Sequence, residues 1–202
     1  MIKNVIFDVG KVLMEYDPEG FLKRLGFDEK TQQAVNEAMF LNHLWWEESD
    51  RGTMTPAELL EGFVANNPAY EKEIRKAHRM VGETIELMPY TVEWVKNLKS
   101  RGYRLYILSN YAEYTYEQTE HKMKFLPYMD GTVFSYRCKL LKPEKEIYEY
   151  ICKKYNLIPA ECVFLDDREE NTKAARSFGM QAITFSDYET DSKKLEDLLQ
   201  KQ

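Results

Sequence analysis

Four short stretches carry groups able to do chemistry together. Asp8 follows the apolar run Val5-Ile6-Phe7 and precedes Val9-Gly10. Ser109-Asn110 follows Leu105-Tyr106-Ile107-Leu108, and Asp166-Asp167 follows Val163-Phe164-Leu165. Lys142 stands just ahead of Pro143. A carboxylate can attack phosphorus and form a covalent aspartyl-phosphate. Asp8, Asp166 and Asp167 also supply hard oxygen donors, which suit Mg²⁺ shared with a phosphate. Ser109 and the backbone N–H groups near Asn110 suit an anion. Lys142 adds positive charge to a site holding both a carboxylate and a phosphate. Each part has a plain structural use when taken alone. Asp8 and Asp166 could cap helices, Ser-Asn could be a turn, and Lys142 could be surface. Their joint order is what points to chemistry. A P-loop is excluded, because Gly10-Lys11 lacks the upstream glycine and a following Ser or Thr.

The elements that must position these groups are strands and helices in alternation. Val5-Ile6-Phe7 is a continuous apolar run, as expected for a strand inside a parallel sheet covered on both faces. Tyr103–Leu108, Thr132–Phe134, Cys162–Leu165 and Gln181–Phe185 read as further strands. Helical spacing links Val92, Val95 and Leu98, and again Ile147, Tyr148, Ile151, Cys152 and Tyr155. Strand–helix alternation predicts an α/β doubly wound parallel sheet, whose ligands bind beyond the carboxyl ends of the strands. The stretch from about Glu19 to Glu86 differs, because it shows no convincing strand. Helices are expected near Phe21–Leu25, over Thr31–Leu44, after Thr55-Pro56-Ala57-Glu58, and over Tyr70–Val81. The expected organisation is therefore a core of residues 1–16 and 87–202 with an inserted α-helical cap of residues 17–86.

Composition narrows the function classes. The chain has 202 residues, 44% of them hydrophobic, with 28 basic and 34 acidic side chains and a net charge of -6. No basic tract marks a nucleic-acid partner. No apolar run is long enough to span a membrane, and Asp8 arrives too early for a signal peptide. Cys138, Cys152 and Cys162 match no zinc or redox motif and read as reduced thiols of a cytoplasmic protein. A monomer or homodimer is expected.

The chain resembles the haloacid dehalogenase-like hydrolase superfamily. The likeness rests on Phe7-Asp8-Val9-Gly10-Lys11-Val12-Leu13, Leu108-Ser109-Asn110, Lys142-Pro143-Glu144-Lys145-Glu146-Ile147-Tyr148 and Phe164-Leu165-Asp166-Asp167-Arg168-Glu169-Glu170-Asn171. It spans essentially the whole chain, with the helical insert where the family places its cap. The resemblance implies Asp8 as nucleophile, with Ser109, Asn110 and Lys142 around the phosphate and the intermediate. It also implies Mg²⁺ held by Asp8, the carbonyl of Gly10 and Asp167, with Asp166 close by. Family phosphatases usually carry a second Asp two residues after the nucleophile, as general acid and base. Gly10 stands there instead, as in a subgroup that includes bacterial α-glucose-1-phosphate phosphatases. Such an acid is worth roughly 10²–10⁴-fold.

The resulting expectation is a Mg²⁺-dependent phosphatase of a small phosphorylated metabolite, such as a sugar phosphate. The rivals are a 2-haloacid dehalogenase and a non-catalytic binding protein on the same fold. Dehalogenases of the superfamily work without metal and lack the Asp-Asp pair, so Asp166-Asp167 argues for Mg²⁺ and phosphate. The stretch Trp45–Gly52 is expected either to face the site or to pack cap on core, with Arg51 paired to an acid.

Overall fold

The computed structural model describes residues 1–200. In chain order the elements are β1 (Asn4–Phe7), β2 (Met14–Tyr16), α1 (Pro18–Arg24), α2 (Glu29–Met39), α3 (His43–Arg51), α4 (Pro56–Asn66), α5 (Glu71–Arg79) and β3 (Ile85–Leu87). Then come α6 (Thr91–Ser100), β4 (Arg104–Ser109), α7 (Glu113–Thr119), β5 (Gly131–Phe134), α8 (Ser135–Cys138), α9 (Lys145–Tyr155), β6 (Cys162–Asp166), α10 (Glu169–Ser177), β7 (Gln181–Thr184) and α11 (Tyr188–Gln200).

Among the described residues the main sheet has five strands in the order β5-β4-β1-β6-β7. Every pairing in it is parallel. The strand order reverses beside β1, so this is the doubly wound sheet that the strand–helix alternation predicts. β1 sits in the middle, and all four of its residues are buried. Alternate residues feed two separate cores, as the period of two requires. Val5, Phe7, Leu105, Ile107, Val163 and Leu165 pack with Trp94, Val95 and Leu98 of α6 and Leu195 and Leu199 of α11. Ile6, Tyr106, Leu108 and Phe164 pack with Ile147, Tyr148 and Ile151 of α9 and Ala175 of α10.

A third core belongs to the helices between β2 and β3. Phe21, Leu22, Val35, Met39, Leu59, Phe63, Ile74 and Ala77 form it. Local signals fix several ends here. Thr55 and Glu58 make the reciprocal capping box at the start of α4. Gly26 takes a φ of 76° just after α1, a conformation that favours glycine.

Two expectations need correction. Thr31–Leu44 is not one helix, because α2 ends at Met39 and α3 begins at His43. The Ala38 carbonyl accepts from Asn66 Nδ2 at 2.8 Å, and that of Met39 from Trp46 Nε1 at 2.5 Å. These partners satisfy the terminal carbonyls of α2, so the helix can stop although the apolar spacing continues. The stretch up to Glu86 is also not free of strand. Ile85–Leu87 pairs antiparallel with Met14–Tyr16, and this ribbon forms both connections into and out of the helical segment.

Candidate active site

The register of β1 explains why the carboxylates meet. Phe7 is level with Ile107 of β4 and Leu165 of β6. One residue further along, Asp8 and Asp166 emerge side by side, and the Asp8 N–H donates to the Leu165 carbonyl at 2.9 Å. Ser109 closes β4 level with Phe134 of β5. All of these lie at the carboxyl ends of the strands, the edge where open α/β sheets bind ligands.

Lys142 reaches this edge from the loop before α9. Asn110 holds that loop through a two-way amide contact. Its Nδ2 donates to the Lys142 carbonyl at 3.0 Å, and the Lys142 N–H donates to its Oδ1 at 2.8 Å. The ammonium then lies 2.9 Å from Asp8 Oδ1 and 2.6 Å from Asp166 Oδ2, and is fully enclosed. Burial alone would lower the Lys142 pKa, but the negative charges of Asp166 and Asp8 outweigh it and hold it above the ordinary value.

Asp166 is fully committed. Its Oδ1 accepts from the Arg168 N–H at 2.8 Å and from Asn171 Nδ2 at 2.9 Å, and its Oδ2 accepts from Lys142 and from Asn171 Nδ2 at 3.0 Å. Asp8 is less satisfied. It accepts from the Val9 N–H at 2.8 Å and from Lys142. Burial pushes its carboxyl up to about 6. Lys142 opposes that rise, Asp166 adds to it, and a hydrogen bond from Ser109 lowers it again. Asp167 is raised by burial and then by Asp166, and its Oδ2 lies 3.7 Å from Lys11 Nζ. Carboxylate oxygens of Asp8, Asp166 and Asp167 all lie within 4.8 Å of one another.

Asp8 and Asp167 open onto a cavity of about 610 Å³, with Asp166 buried behind them. Asp8, Gly10, Ser109, Asn110, Lys142 and Asp167 line it from the sheet side, and Phe40, Trp46, Glu47, Asp50 and Arg51 line it from the helical side. The two expectations for Trp45–Gly52 therefore both hold in part. Arg51 pairs across to Glu144 at 2.5 Å while facing the cavity. Trp46 faces the cavity while stacking on Phe40. Trp45 packs on Gly62, where an added Cβ would sit 2.7 Å from the indole. Tyr111 lines the cavity while buried, with its hydroxyl 2.8 Å from Thr119 Oγ1. Tyr114 and Tyr116 are packing residues, stacked on His78 and set edge-on to Phe134.

Sequence reasoning missed three contributors. The first is the Asn110 amide as the clamp on Lys142, and the second is Asn171 as the donor to both Asp166 oxygens. Asn171 had a visible signal: it falls in the first turn of a helix that starts just after a strand-end Asp. The third is Asp50, which nothing in the local pattern distinguishes from its neighbours Glu47 and Glu48.

A family model described as haloacid dehalogenase-like hydrolase matches residues 2–179. The chain belongs to that family. It is therefore a hydrolase by descent. A sesquiterpene phosphatase of Aspergillus oryzae is 25% identical over 92% of this chain and 90% of its own. A D-ribitol-5-phosphate phosphatase of Bacteroides thetaiotaomicron is 24% identical over 91% of each chain. Among solved structures, a HAD family enzyme from Bacteroides thetaiotaomicron, in complex with magnesium and inorganic phosphate, superposes with a TM-score of 0.73. It is 26% identical, over 92% of this chain and 95% of that one. A predicted HAD-like hydrolase from Porphyromonas gingivalis, 20% identical over the full length of both chains, shares the fold with a TM-score of 0.78. Among the described residues no helix is long and apolar enough to cross a membrane.

Proposed function

We propose that this protein is a Mg²⁺-dependent phosphatase that hydrolyses a small phosphorylated metabolite through an aspartyl-phosphate on Asp8. The observation that carries the reading is the Asp8–Lys142 pair on the floor of an open cavity, with Asp166 buried behind Lys142 and with Ser109 and Asp167 beside the pair. A carboxylate nucleophile facing a phosphate needs compensating positive charge on both sides, and this floor can supply it.

Each residue has a task that follows from its surroundings. Asp8 attacks phosphorus. Lys142 neutralises Asp8 and then the transferred phosphoryl group, and its fixed position removes reorganisation from the reaction. Ser109 Oγ donates to a phosphoryl oxygen; it faces Asp8 and makes only a weak 3.5 Å approach to the Asn110 carbonyl. Asn110 and Asp166 act through Lys142 and are positioning residues, with Asn171 behind Asp166.

The donor set fits Mg²⁺, because the oxygens are hard and three carboxylates converge. Asp8, Asp167 and the carbonyl of Gly10 would hold the ion, while the hydrogen bonds of Asp166 leave it to orient Lys142. Bound there, Mg²⁺ offsets the charge of phosphate beside a carboxylate nucleophile. With Mg²⁺ on this carboxylate cluster, the site suits a phosphate dianion better than a 2-haloacid, which brings a single negative charge. In this reading residues 17–86 are a cap that selects the leaving group, and relatives named as phosphatases of ribitol phosphate and of phosphorylated carbohydrates support a sugar phosphate as substrate.

The test is a screen of phosphometabolites with Mg²⁺ against an Asp8→Asn control. Metal-dependent release of phosphate by the wild type and none by the variant is expected. Equal activity in the two, or full activity in chelator, would overturn the reading.

A further inference from the structure

Gly10 leaves the position beside the nucleophile without a side chain, and a Cβ built there meets nothing within 4 Å. The floor therefore offers no uncommitted acid for the leaving oxygen. Asp8 is the nucleophile, Asp166 is held by three donors, and Asp167 faces Lys11. At the rim Glu144 pairs with Arg51 and Glu170 with Arg168. Two carboxylates lining the cavity make no hydrogen bond or ion pair with the described residues, Glu47 and Asp50. Glu47 is exposed, whereas Asp50 is half-buried on the turn of α3 nearest the sheet.

We propose that Asp50, supplied by the helical segment rather than by the loop after β1, protonates the leaving oxygen and later deprotonates the attacking water. This rests on the phosphatase reading above and deepens it. In the first half, an oxygen of Asp8 forms a bond to phosphorus as the bond from phosphorus to the leaving oxygen breaks. That oxygen keeps the electron pair and takes the proton of the Asp50 carboxyl, leaving as an alcohol. In the second half, the Asp50 carboxylate takes a proton from water while the water oxygen bonds to phosphorus. The acyl-phosphate bond breaks, the electron pair returns to Asp8, and phosphate departs. Asp50 ends protonated, as it began.

The geometry supports this because the end of α3 is tied to the sheet domain at successive residues. Ser135 Oγ donates to the Asp50 carbonyl at 2.6 Å and accepts from the Tyr111 N–H at 2.8 Å. Arg51 forks onto Glu144 at 2.5 and 3.1 Å. Lys139 Nζ donates to the Gly52 carbonyl. Gly52 has a φ of 70°, and an added Cβ would sit 2.7 Å from the Tyr136 carbonyl oxygen, so the helix end lies directly on α8. A proton donor must be held close to its target to be effective, and these ties do that for Asp50.

The surroundings keep the carboxyl in a useful range. Glu47 faces it from α3 itself, Asp8 from the end of β1, Lys142 from the loop before α9, Arg168 from the start of α10, Tyr16 from β2 and Tyr111 from beyond β4. Burial raises it most, Lys142 and Arg168 pull it down, Asp8 and Glu47 push it up, and the balance is about 7. No hydrogen bond or ion pair joins it to Asp8, Gly10 or Asp167.

The experiment measures single-turnover phosphoenzyme formation with Mg²⁺ on phenyl phosphate and on 2,4-dinitrophenyl phosphate. Asp50→Asn and Asp50→Ser are compared with wild type, and thermal melting establishes which variants are folded. A folded variant should lose roughly 10²–10⁴-fold on phenyl phosphate, the usual worth of a general acid. It should lose under about 10-fold on the dinitrophenyl ester, whose leaving group departs without a proton. A merely structural role would depress both substrates alike. Equal loss on both, or loss on neither, overturns the assignment while leaving Asp8-dependent turnover in place. Wild-type enzyme without Asp8-dependent turnover of either ester overturns the phosphatase reading and the assignment together.

Discussion

Lys142→Met should cost stability in a way that depends on pH with a definite sign. In the wild type the ammonium lies between Asp8 at 2.9 Å and Asp166 at 2.6 Å, out of contact with solvent. Methionine keeps the unbranched stem and removes the charge, which leaves two buried carboxylates facing each other. Breaking a buried ion pair by deleting one partner costs about 3–5 kcal/mol. At roughly 2–4 °C per kcal/mol for a domain of this size, the melting temperature should fall by about 6–20 °C. Asp8 is already raised to about 6 with Lys142 present, and it must rise further once that charge is gone. A carboxylate raised in the folded state binds more protons there than in the unfolded chain, so stability falls as pH rises through the gap between the two values. The deficit should thus be small at pH 5 and large at pH 8. The contribution of Lys142 itself has the same sign but falls in a far more alkaline window. Its folded value lies above the ordinary 10.5, so the wild type keeps that contribution until the solution is strongly alkaline. Urea unfolding in chelator at both pH values is the assay. A variant with the wild-type midpoint at pH 8, or with equal losses at pH 5 and pH 8, would refute the bridging role of Lys142.

Asp167→Asn should raise the Mg²⁺ needed for half-maximal activity by about 10-fold or more, read from a metal titration, because it weakens one of the donors assigned to the ion. Asn171→Leu should lower kcat with little change in KM, since it removes both amide contacts that orient Asp166 behind Lys142; unchanged kcat would make Asn171 a packing residue only. Arg51→Ala should change stability by less than about 1 kcal/mol, because the pair is roughly one-third exposed. Its KM should nevertheless rise, as the tie that holds α3 over the cavity is lost. Gly10→Asp should recover part of the phenyl phosphate rate in an Asp50→Asn background, since a side chain at residue 10 meets open space.

The sheet and the floor of the site were legible because short-range rules govern them. Val5-Ile6-Phe7 and Val163-Phe164-Leu165 are apolar without alternation because both faces of their strands are covered, and such strands sit in the middle of a parallel sheet. Once they do, Asp8 and Asp166 must emerge at one edge. Residues that act through a tertiary partner were less legible. Asn110 looked like part of an anion-binding loop, yet its amide is occupied by the Lys142 backbone, which a sequence cannot bring to it. The break between α2 and α3 was invisible for the same reason, because the groups that end α2 come from Trp46 and Asn66. The ribbon of β2 and β3 joins three-residue strands far apart in the chain, too short for a periodicity to register.

Asp50 is the extreme case of that limit. In the sequence it is one of three acids in Glu47-Glu48-Ser49-Asp50, and helical spacing alone gives no reason to prefer it. What separates it is the seating of α3 on the sheet domain through Ser135, Glu144 and Lys139, three residues from one segment between β5 and α9. That segment also ends in the loop carrying Lys142. The element that fixes the ammonium beside the nucleophile therefore also fixes the acid above it. A chain that loses the carboxylate beside its nucleophile can keep a proton donor on this fold only if the cap cannot slide, and the contacts of residues 50–52 with residues 135–144 are what stop it. The dependence runs in one direction. Loosening Arg51 should degrade poor leaving groups more than good ones, because it moves Asp50 without touching Asp8, Lys142 or Asp167. The same Arg51→Ala variant used for KM, assayed on phenyl and dinitrophenyl phosphates, reads this out, and an equal change on both esters would mean that Asp50 is held by the Ser135 and Gly52 contacts alone.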